Sequence, residues 1–170
     1  FVTEYTYAND PVDGVEFRFL HPSAALPDLA GDSSCVLEIR SPFGSAMLTG
    51  GIGGNVIRRL TARDATRPVD VVVLARGGHA ESLDREWLAH LSPRIAIATV
   101  SAYNRRGLPH RRTWDMLAQA GARLVTTGQC GAVSLRFEAG KKPRATGEVL
   151  ARPRFWRSPE ECAASVSNIQ

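Results

Sequence analysis

Two short apolar segments, residues 69–75 and residues 95–100, constrain the fold more than any other feature of this sequence. Between them, Leu83, Trp87 and Leu91 recur at the spacing of one helix face. Strands that are largely apolar, and therefore buried on both faces, are typical of parallel sheets whose strands are joined by helices. The two segments therefore predict an α/β fold.

The remaining periodic segments extend this pattern in both directions. Strands with a hairpin are predicted at residues 15–20, 35–40 and 45–49. Helices are predicted at residues 55–62 and around Trp114, the second ending with Gly121 at its C′ position. Two last strands, residues 123–126 and 132–137, are expected to pair around residues 128–131. The predicted order is β-β-β-α-β-α-β-α-β-β in one α/β domain with a mixed sheet and flanking helices.

The periodicity fades after residue 138. A domain covering residues 1–140 is therefore expected to be followed by a basic, extended tail at residues 141–170. Phe155 and Trp156 in this tail are expected to dock on the domain, because two large aromatic side chains are costly to leave in water.

The three cysteines have no CxxC spacing, which argues against a zinc knuckle and against a dense disulfide framework. Cys35 is expected to be buried because it stands in an apolar run, and the odd number of cysteines leaves the redox compartment open. The chain has no run of 18 apolar residues, so no membrane span is predicted. It begins without Met, a basic n-region or an apolar h-region, and we expect it to be a piece of something longer.

Positive charge is concentrated in one part of the chain. The net charge is +4, but residues 101–157 hold 12 Lys and Arg against 3 Asp and Glu. Such a stretch is expected for a protein that binds a polyanion, although charge retained for solubility alone gives the same pattern.

Ligands of open α/β sheets bind near the carboxyl ends of the strands, so the loops after residues 49, 75 and 100 are the candidate sites. The glycines at residues 50–54 lack a nucleotide-binding fingerprint and favour a flexible turn. In the next loop, His79 lacks a second histidine at metal-ligand spacing, whereas Arg76 suits an anion.

The loop at residues 101–112 carries four arginines, Arg105, Arg106, Arg111 and Arg112, at the predicted start of a helix. A helix N-terminus disfavours cations unless an anion or solvent intervenes. Bound phosphate and a solvated basic face explain the pattern equally well. No Ser-His-Asp set or close carboxylate pair can be argued, so the residues alone indicate no catalytic site.

Several short motifs, taken in order, resemble a known family. They are Asp13-Gly14-Val15-Glu16-Phe17, Leu20-His21-Pro22, Ser34-Cys35-Val36-Leu37, Leu48-Thr49-Gly50, the segment from Asn104 to His110, and Arg154-Phe155-Trp156-Arg157. The set is similar to the end of the ComEC family of bacterial competence proteins, over nearly all 170 residues. The resemblance implies the second half of a metallo-β-lactamase-like αββα sandwich. It also implies an inner-membrane channel that admits single-stranded DNA during natural transformation.

The metal-ligand motifs of that family are degenerate in this chain. The family's Asp after the third strand corresponds to Gly51, two of its histidines correspond to Arg76 and Gly77, and a further histidine corresponds to Leu108, while His110 is retained. No cofactor is therefore expected. Zinc or manganese would bind only if residues before Phe1 supplied ligands together with His79 or His110.

The sequence thus leads to the hypothesis of a non-catalytic, metallo-β-lactamase-like domain that serves as a scaffold or DNA-guiding surface. The predicted DNA contacts are Arg76, Arg105, Arg106, Arg111, Arg112, Phe155 and Trp156. The expected partners are the phosphate backbone of single-stranded DNA and the rest of a ComEC-like channel, without a small-molecule substrate. The family implies the periplasmic or exterior face of the inner membrane. The alternatives are an active metal-dependent nuclease that degrades the non-transported strand, and a purely structural module.

Overall fold

The computed structural model of the chain describes residues 13–22, 30–155 and 159–166. A six-stranded sheet forms its centre, with strands β1 (Glu16–His21), β2 (Val36–Ser41), β3 (Gly44–Leu48), β4 (Val71–Val73), β5 (Ile95–Ala98) and β6 (Arg123–Thr126). The strands lie side by side in chain order. β1, β2 and β3 are antiparallel, and β3 to β6 are parallel.

Three helices, α1 (Gly54–Ala62), α2 (Arg85–Leu91) and α3 (Arg111–Gln119), connect the parallel strands. Their apolar residues form one core cluster with alternate residues of the sheet, such as Val72, Ala96 and Leu124. α2 begins where Oδ1 of Asp84 accepts a hydrogen bond from the Trp87 N–H at 2.7 Å, which places the Trp87 ring in this core.

The other face of the parallel part of the sheet is covered by a second layer. This layer consists of a two-stranded sheet, β7 (Val133–Arg136) and β8 (Arg144–Gly147), with helices α4 (Thr127–Cys130), α5 (Glu148–Ala151) and α6 (Glu160–Val166). Its core cluster takes the alternate residues of the parallel strands, such as Val71, Ile97 and Val125. On the same face of β1 and β3, Phe17 and Leu48 are 39% and 38% exposed.

A charged cluster lies on the α1 side of β1 and β2. Glu38 is fully buried and receives hydrogen bonds from Nε of Arg67 at 3.0 Å and Nη2 of Arg40 at 2.8 Å, with Nη2 of Arg18 also 3.0 Å away. Burial raises the pKa of Glu38, but the hydrogen bonds from Arg67 and Arg40 and the charge of Arg18 together outweigh it, so the pKa lies below its ordinary value. This cluster therefore holds Glu38 ionised inside the fold.

The predicted class is confirmed, since the fold is α/β with a mixed sheet and flanking helices. Gly121 follows α3 with φ +71°, as its predicted C′ position requires. The predicted pairing of residues 123–126 with residues 132–137 is wrong, because α4 separates β6 from β7 and β7 pairs with β8 instead. Within the part of the chain that the structure describes, no helix is long and apolar enough to cross a membrane.

The segment after residue 140, which the sequence predicts to be a basic extended tail, contains β8, α5 and α6. β8 pairs with β7 in register, and α6 is joined to α4 by a disulfide between Cys130 and Cys162. Both sulfurs lie in the second core cluster, where the disulfide connects residues 32 positions apart. These three elements form because their apolar residues pack on the face of the parallel strands.

Two expectations about single residues are also wrong. Cys35 is exposed, because β2 begins one residue later and Val36 takes the buried position. Phe155 is 97% exposed, so its ring is not buried as expected. Trp156 lies outside the described residues.

Candidate nucleic-acid interface

The parallel strands β3 to β6 end at one edge of the sheet. The loops that follow β3, β4 and β5, at residues 49–53, 74–84 and 99–110, therefore start from a common edge, and so does α4, which follows β6 directly. This is the edge at which the sequence predicts ligand binding.

The loop after β3 is held by a carboxylate of the same chain. Oδ1 of Asp32 accepts a hydrogen bond from the Gly53 N–H at 2.8 Å, and Oγ of Ser34 accepts one from the Gly51 N–H at 2.8 Å. Gly53 is the N-cap of α1. The negative charge at the N-terminus of α1 is thus supplied by Asp32.

Arg76, in the loop after β4, binds this same carboxylate. Its Nη2 lies 3.0 Å from Oδ1 of Asp32, and its Nε donates to the Gly51 carbonyl at 2.8 Å. The side chain is 41% exposed, so phosphate could approach it from solvent. Contact between Arg76 and DNA stays a prediction, and it would place a phosphate beside the Asp32 carboxylate.

The residues at this edge do not fit the metal centre that the family resemblance implies. The Arg76 guanidinium binds the Gly51 carbonyl and the Asp32 carboxylate. The Nδ1 atoms of His79 and His110 accept backbone N–H hydrogen bonds from Glu81 and Arg112 at 3.3 Å each. Among the described residues, no group of three His, Cys, Asp or Glu could hold a metal ion. These two histidines instead begin a 3-10 turn and α3, respectively.

The loop after β5 is held in one conformation by hydrogen bonds. Oγ1 of Thr127 accepts from the Val100 N–H at 2.9 Å and donates to the Val100 carbonyl at 2.8 Å. The Asn104 side chain donates to the Ser101 and Leu108 carbonyls at 3.1 and 2.8 Å, and its Oδ1 accepts from the Leu108 N–H at 2.6 Å. The Thr127 bonds tie the start of the loop to α4, and the Asn104 bonds join Ser101 and Leu108 across it.

Arg105 and Arg106 project from this loop and are exposed. Neither has an ion pair within 4.0 Å to any residue that the structure describes. Tyr103, two residues before Arg105, is 97% exposed. Sequence reasoning missed Tyr103, although its position beside two arginines was visible.

Arg111 and Arg112 belong to the first turn of α3 and not to the loop. Nε of Arg111 lies 3.6 Å from Oδ1 of Asp115, and both side chains are largely exposed. Arg112 lines a groove between α2 and α3 with Asp84, Arg85, Asp115, Met116 and Gln119. The four arginines of the sequence motif therefore divide into an unpaired loop pair and a helix pair that faces acidic side chains.

The basic stretch of the sequence does not form a single surface. At the opposite edge, where β5 and β6 begin, Arg94, Arg123 and Lys142 line a separate groove. Burial lowers the pKa of Arg123, whose guanidinium donates to the Val166 carbonyl at 3.4 Å. Phe155 follows α5 in the second layer. Of the predicted DNA contacts, Arg105 and Arg106 are thus the most available for an external anion.

No protein-family model matches the sequence. The chain is similar to ComE operon protein 3 of Bacillus subtilis, with 25% identity over 127 residues. The alignment covers 75% of this chain, and the chain spans 16% of the length of that relative.

Proposed function

We propose that this chain is a non-catalytic, metallo-β-lactamase-like domain of a competence protein, and that it guides DNA through contacts to the phosphate backbone. The similarity to ComE operon protein 3 and the ordered motifs of the ComEC family support a role in DNA uptake. The α/β fold with a mixed sheet is compatible with one half of an αββα sandwich.

One observation carries the DNA-binding part of the proposal. Arg105 and Arg106 stand exposed and without an ion-pair partner among the described residues, on a loop that hydrogen bonds hold in place. Guanidinium groups match phosphate geometry, and a loop backbone fixed before binding loses less conformational entropy when it binds. Arg111 and Arg112 extend the positive charge from the loop along the first turn of α3.

We propose that the domain is not catalytic because of the side chains at the carboxyl edge of the sheet, which would have to bind a metal. At the carboxyl edge of the sheet, Arg76 supplies a permanent positive charge where a metal-dependent nuclease would need ligands. A scaffold needs no such donors. The remaining part of a longer channel protein is the proposed partner of this domain.

The disulfide between Cys130 and Cys162 supports a location on the oxidising side of the membrane. Disulfides persist in the periplasm and outside the cell, whereas cytosolic thiols are kept reduced. We therefore place the domain on the periplasmic or exterior face as part of the proposal.

The test is the salt dependence of DNA binding by the chain and by its Arg105→Gln/Arg106→Gln variant. Losing two phosphate contacts should flatten the slope of log K against log salt by about 1.4 for single strands. Arg59→Gln/Arg63→Gln removes the same charge from exposed positions at the far end of α1 and should leave the slope nearly unchanged. Affinity that ignores salt between about 50 and 200 mM would refute phosphate binding.

Metal content, DNA cleavage and DNA binding of the same protein distinguish the nuclease and the structural module from the proposal. A stoichiometric transition metal, together with chelator-sensitive cleavage of DNA, would replace the proposal by the nuclease. If the protein binds neither metal nor DNA, the purely structural module is the remaining alternative.

A further inference from the structure

We infer that Tyr103 is a base-stacking residue, and that it makes the loop after β5 select single-stranded over double-stranded nucleic acid. The inference rests on the proposed function, because it assigns a second kind of contact to the surface formed by Arg105 and Arg106. It concerns a residue that charge and spacing in the sequence do not single out.

The first observation is the exposure of the Tyr103 ring. Tyr103 is 97% exposed, whereas Trp87 in the core is 1% exposed and Trp114 on α3 is 40% exposed. An aromatic ring buries a large apolar area when it finds a partner, so full exposure leaves that free energy available for binding. A nucleobase offers a flat surface of matching size.

The second observation is the rigidity of the backbone that carries the ring. The neighbouring Asn104 side chain makes three hydrogen bonds across the loop, to Ser101 and Leu108. On the other side, the Ala102 backbone packs so closely on Gly128 that a Cβ there would lie 2.9 Å from the Ala102 nitrogen. Tyr103 thus stands between two fixed residues, and stacking requires little ordering of the chain.

The third observation is the charge next to the ring. Arg105 follows Tyr103 by two residues, a separation of at most about 7 Å along an extended chain. A strand whose base stacks on Tyr103 therefore places its phosphates within reach of Arg105 and Arg106. Exposed aromatic rings combined with cations that follow the backbone are the common means of binding single strands.

The selectivity follows from which nucleic acid offers a free base. In a duplex each base is already stacked between its neighbours, and an aromatic side chain reaches it only after unstacking. A single strand presents the faces of its bases at lower cost. Tyr103 should therefore add affinity for single strands, while the arginines add affinity for both forms.

The experiment compares binding of a 20-nucleotide oligo-dT and of a mixed-sequence 20-base-pair duplex by fluorescence anisotropy. Loss of one stacked base corresponds to about 1–3 kcal/mol, so Tyr103→Ala should weaken oligo-dT binding about 5- to 150-fold. Duplex affinity and the salt slope should not change. Tyr103→Phe keeps the ring and should restore oligo-dT binding.

A matched control removes another exposed aromatic residue. Phe43 is 52% exposed in the turn between β2 and β3, at the opposite end of the parallel strands. Phe43→Ala should leave both affinities unchanged. If Phe43→Ala weakens oligo-dT binding as much as Tyr103→Ala, the assignment of stacking to Tyr103 is overturned.

The results separate failure of this inference from failure of the proposed function. Salt-dependent binding that is insensitive to Tyr103→Ala, or that falls equally for oligo-dT and duplex, refutes stacking while phosphate binding stands. Affinity without salt dependence refutes the proposed function.

Discussion

Nη2 of Arg76 lies 3.0 Å from Oδ1 of Asp32, although the two residues are 44 positions apart in the chain. The same oxygen accepts the Gly53 N–H at the start of α1. One carboxylate therefore satisfies a helix N-terminus and holds the arginine that stands at the carboxyl edge of the sheet. This relationship makes Asp32 a structural residue of the candidate interface.

We predict that Asp32→Asn lowers the free energy of unfolding by about 1–2 kcal/mol, because it weakens the N-terminal hydrogen bond of α1 and removes the ion pair with Arg76. Urea denaturation measures the change. Asp115→Asn, which breaks the exposed pair with Arg111, should cost less than about 0.5 kcal/mol. Equal effects of the two variants would contradict a structural role for Asp32.

Glu38→Gln should be among the most destabilising charge substitutions. Removing the buried carboxylate leaves Arg18, Arg40 and Arg67 without their common partner, and breaking a buried ion pair costs about 3 kcal/mol. Glu148→Gln serves as the control, because the exposed pair of Glu148 with Arg152 should contribute less than about 0.5 kcal/mol. Chemical denaturation of both variants at pH 7 measures these changes in the free energy of unfolding.

The pH dependence of stability should report the same carboxylate. The pKa of Glu38 is lowered in the fold, so its contribution is complete above the ordinary glutamate pKa of about 4.3 and is lost as the pH falls through the lowered value. The difference in unfolding free energy between wild type and Glu38→Gln should therefore shrink below about pH 4. Lys141 also lowers the pKa of Glu138. The pH dependence of the unfolding free energy should therefore be measured for Glu138→Gln as well. A difference that stays constant to pH 2 would contradict this assignment.

Reduction of the disulfide should destabilise the second layer. Closing a loop of 32 residues between Cys130 and Cys162 corresponds to about 3–4 kcal/mol in the chain-entropy estimate. The Cys130→Ser/Cys162→Ser variant should lose a similar amount and should no longer respond to reductant. Cys35→Ser, at the exposed free thiol, should behave as wild type. Thiol labelling that finds three free cysteines in the native chain would contradict the bridge.

Gly128→Ala should weaken nucleic-acid binding without changing any charge. The added Cβ would meet the Ala102 backbone at 2.9 Å, so the segment that carries Tyr103 and Arg105 must move. We expect about a tenfold loss of oligo-dT affinity, which corresponds to about 1.4 kcal/mol. Gly140→Ala introduces strain at φ +69° where a Cβ meets nothing within 4 Å, and it controls for general destabilisation. Unchanged affinity of Gly128→Ala would show that this packing does not position the loop.

Apolar periodicity predicted the elements of the main sheet because each of them carries a face that must be buried. β6 at Arg123–Thr126 begins and ends as predicted, and α1 differs by one residue at its start. β8 escaped prediction because its buried residues, Ala145 and Gly147, have almost no apolar side chain. Gly147 is required there since a Cβ would lie 2.6 Å from Sγ of Cys162.

The candidate site was predictable as a loop with exposed charge, and its arginines were predicted, but which of them lack an acidic neighbour was not. The sequence of a short stretch with four arginines does not show whether an acidic side chain faces any of them. Asp115 faces Arg111, and Asp32 faces Arg76, while Arg105 has no ion-pair partner in the described ranges. Tyr103 was missed because a tyrosine in a loop is as compatible with burial as with full exposure.

The secondary structure of this chain therefore follows largely from the sequence, because the spacing of apolar residues over a short segment selects helix or strand. The choice of partners across the chain followed from tertiary structure alone. Asp32 meets Arg76, Cys130 meets Cys162 and β8 meets β7 because packing of the two layers brings them together. Such contacts depend on distances in three dimensions, and no periodicity in the sequence encodes them.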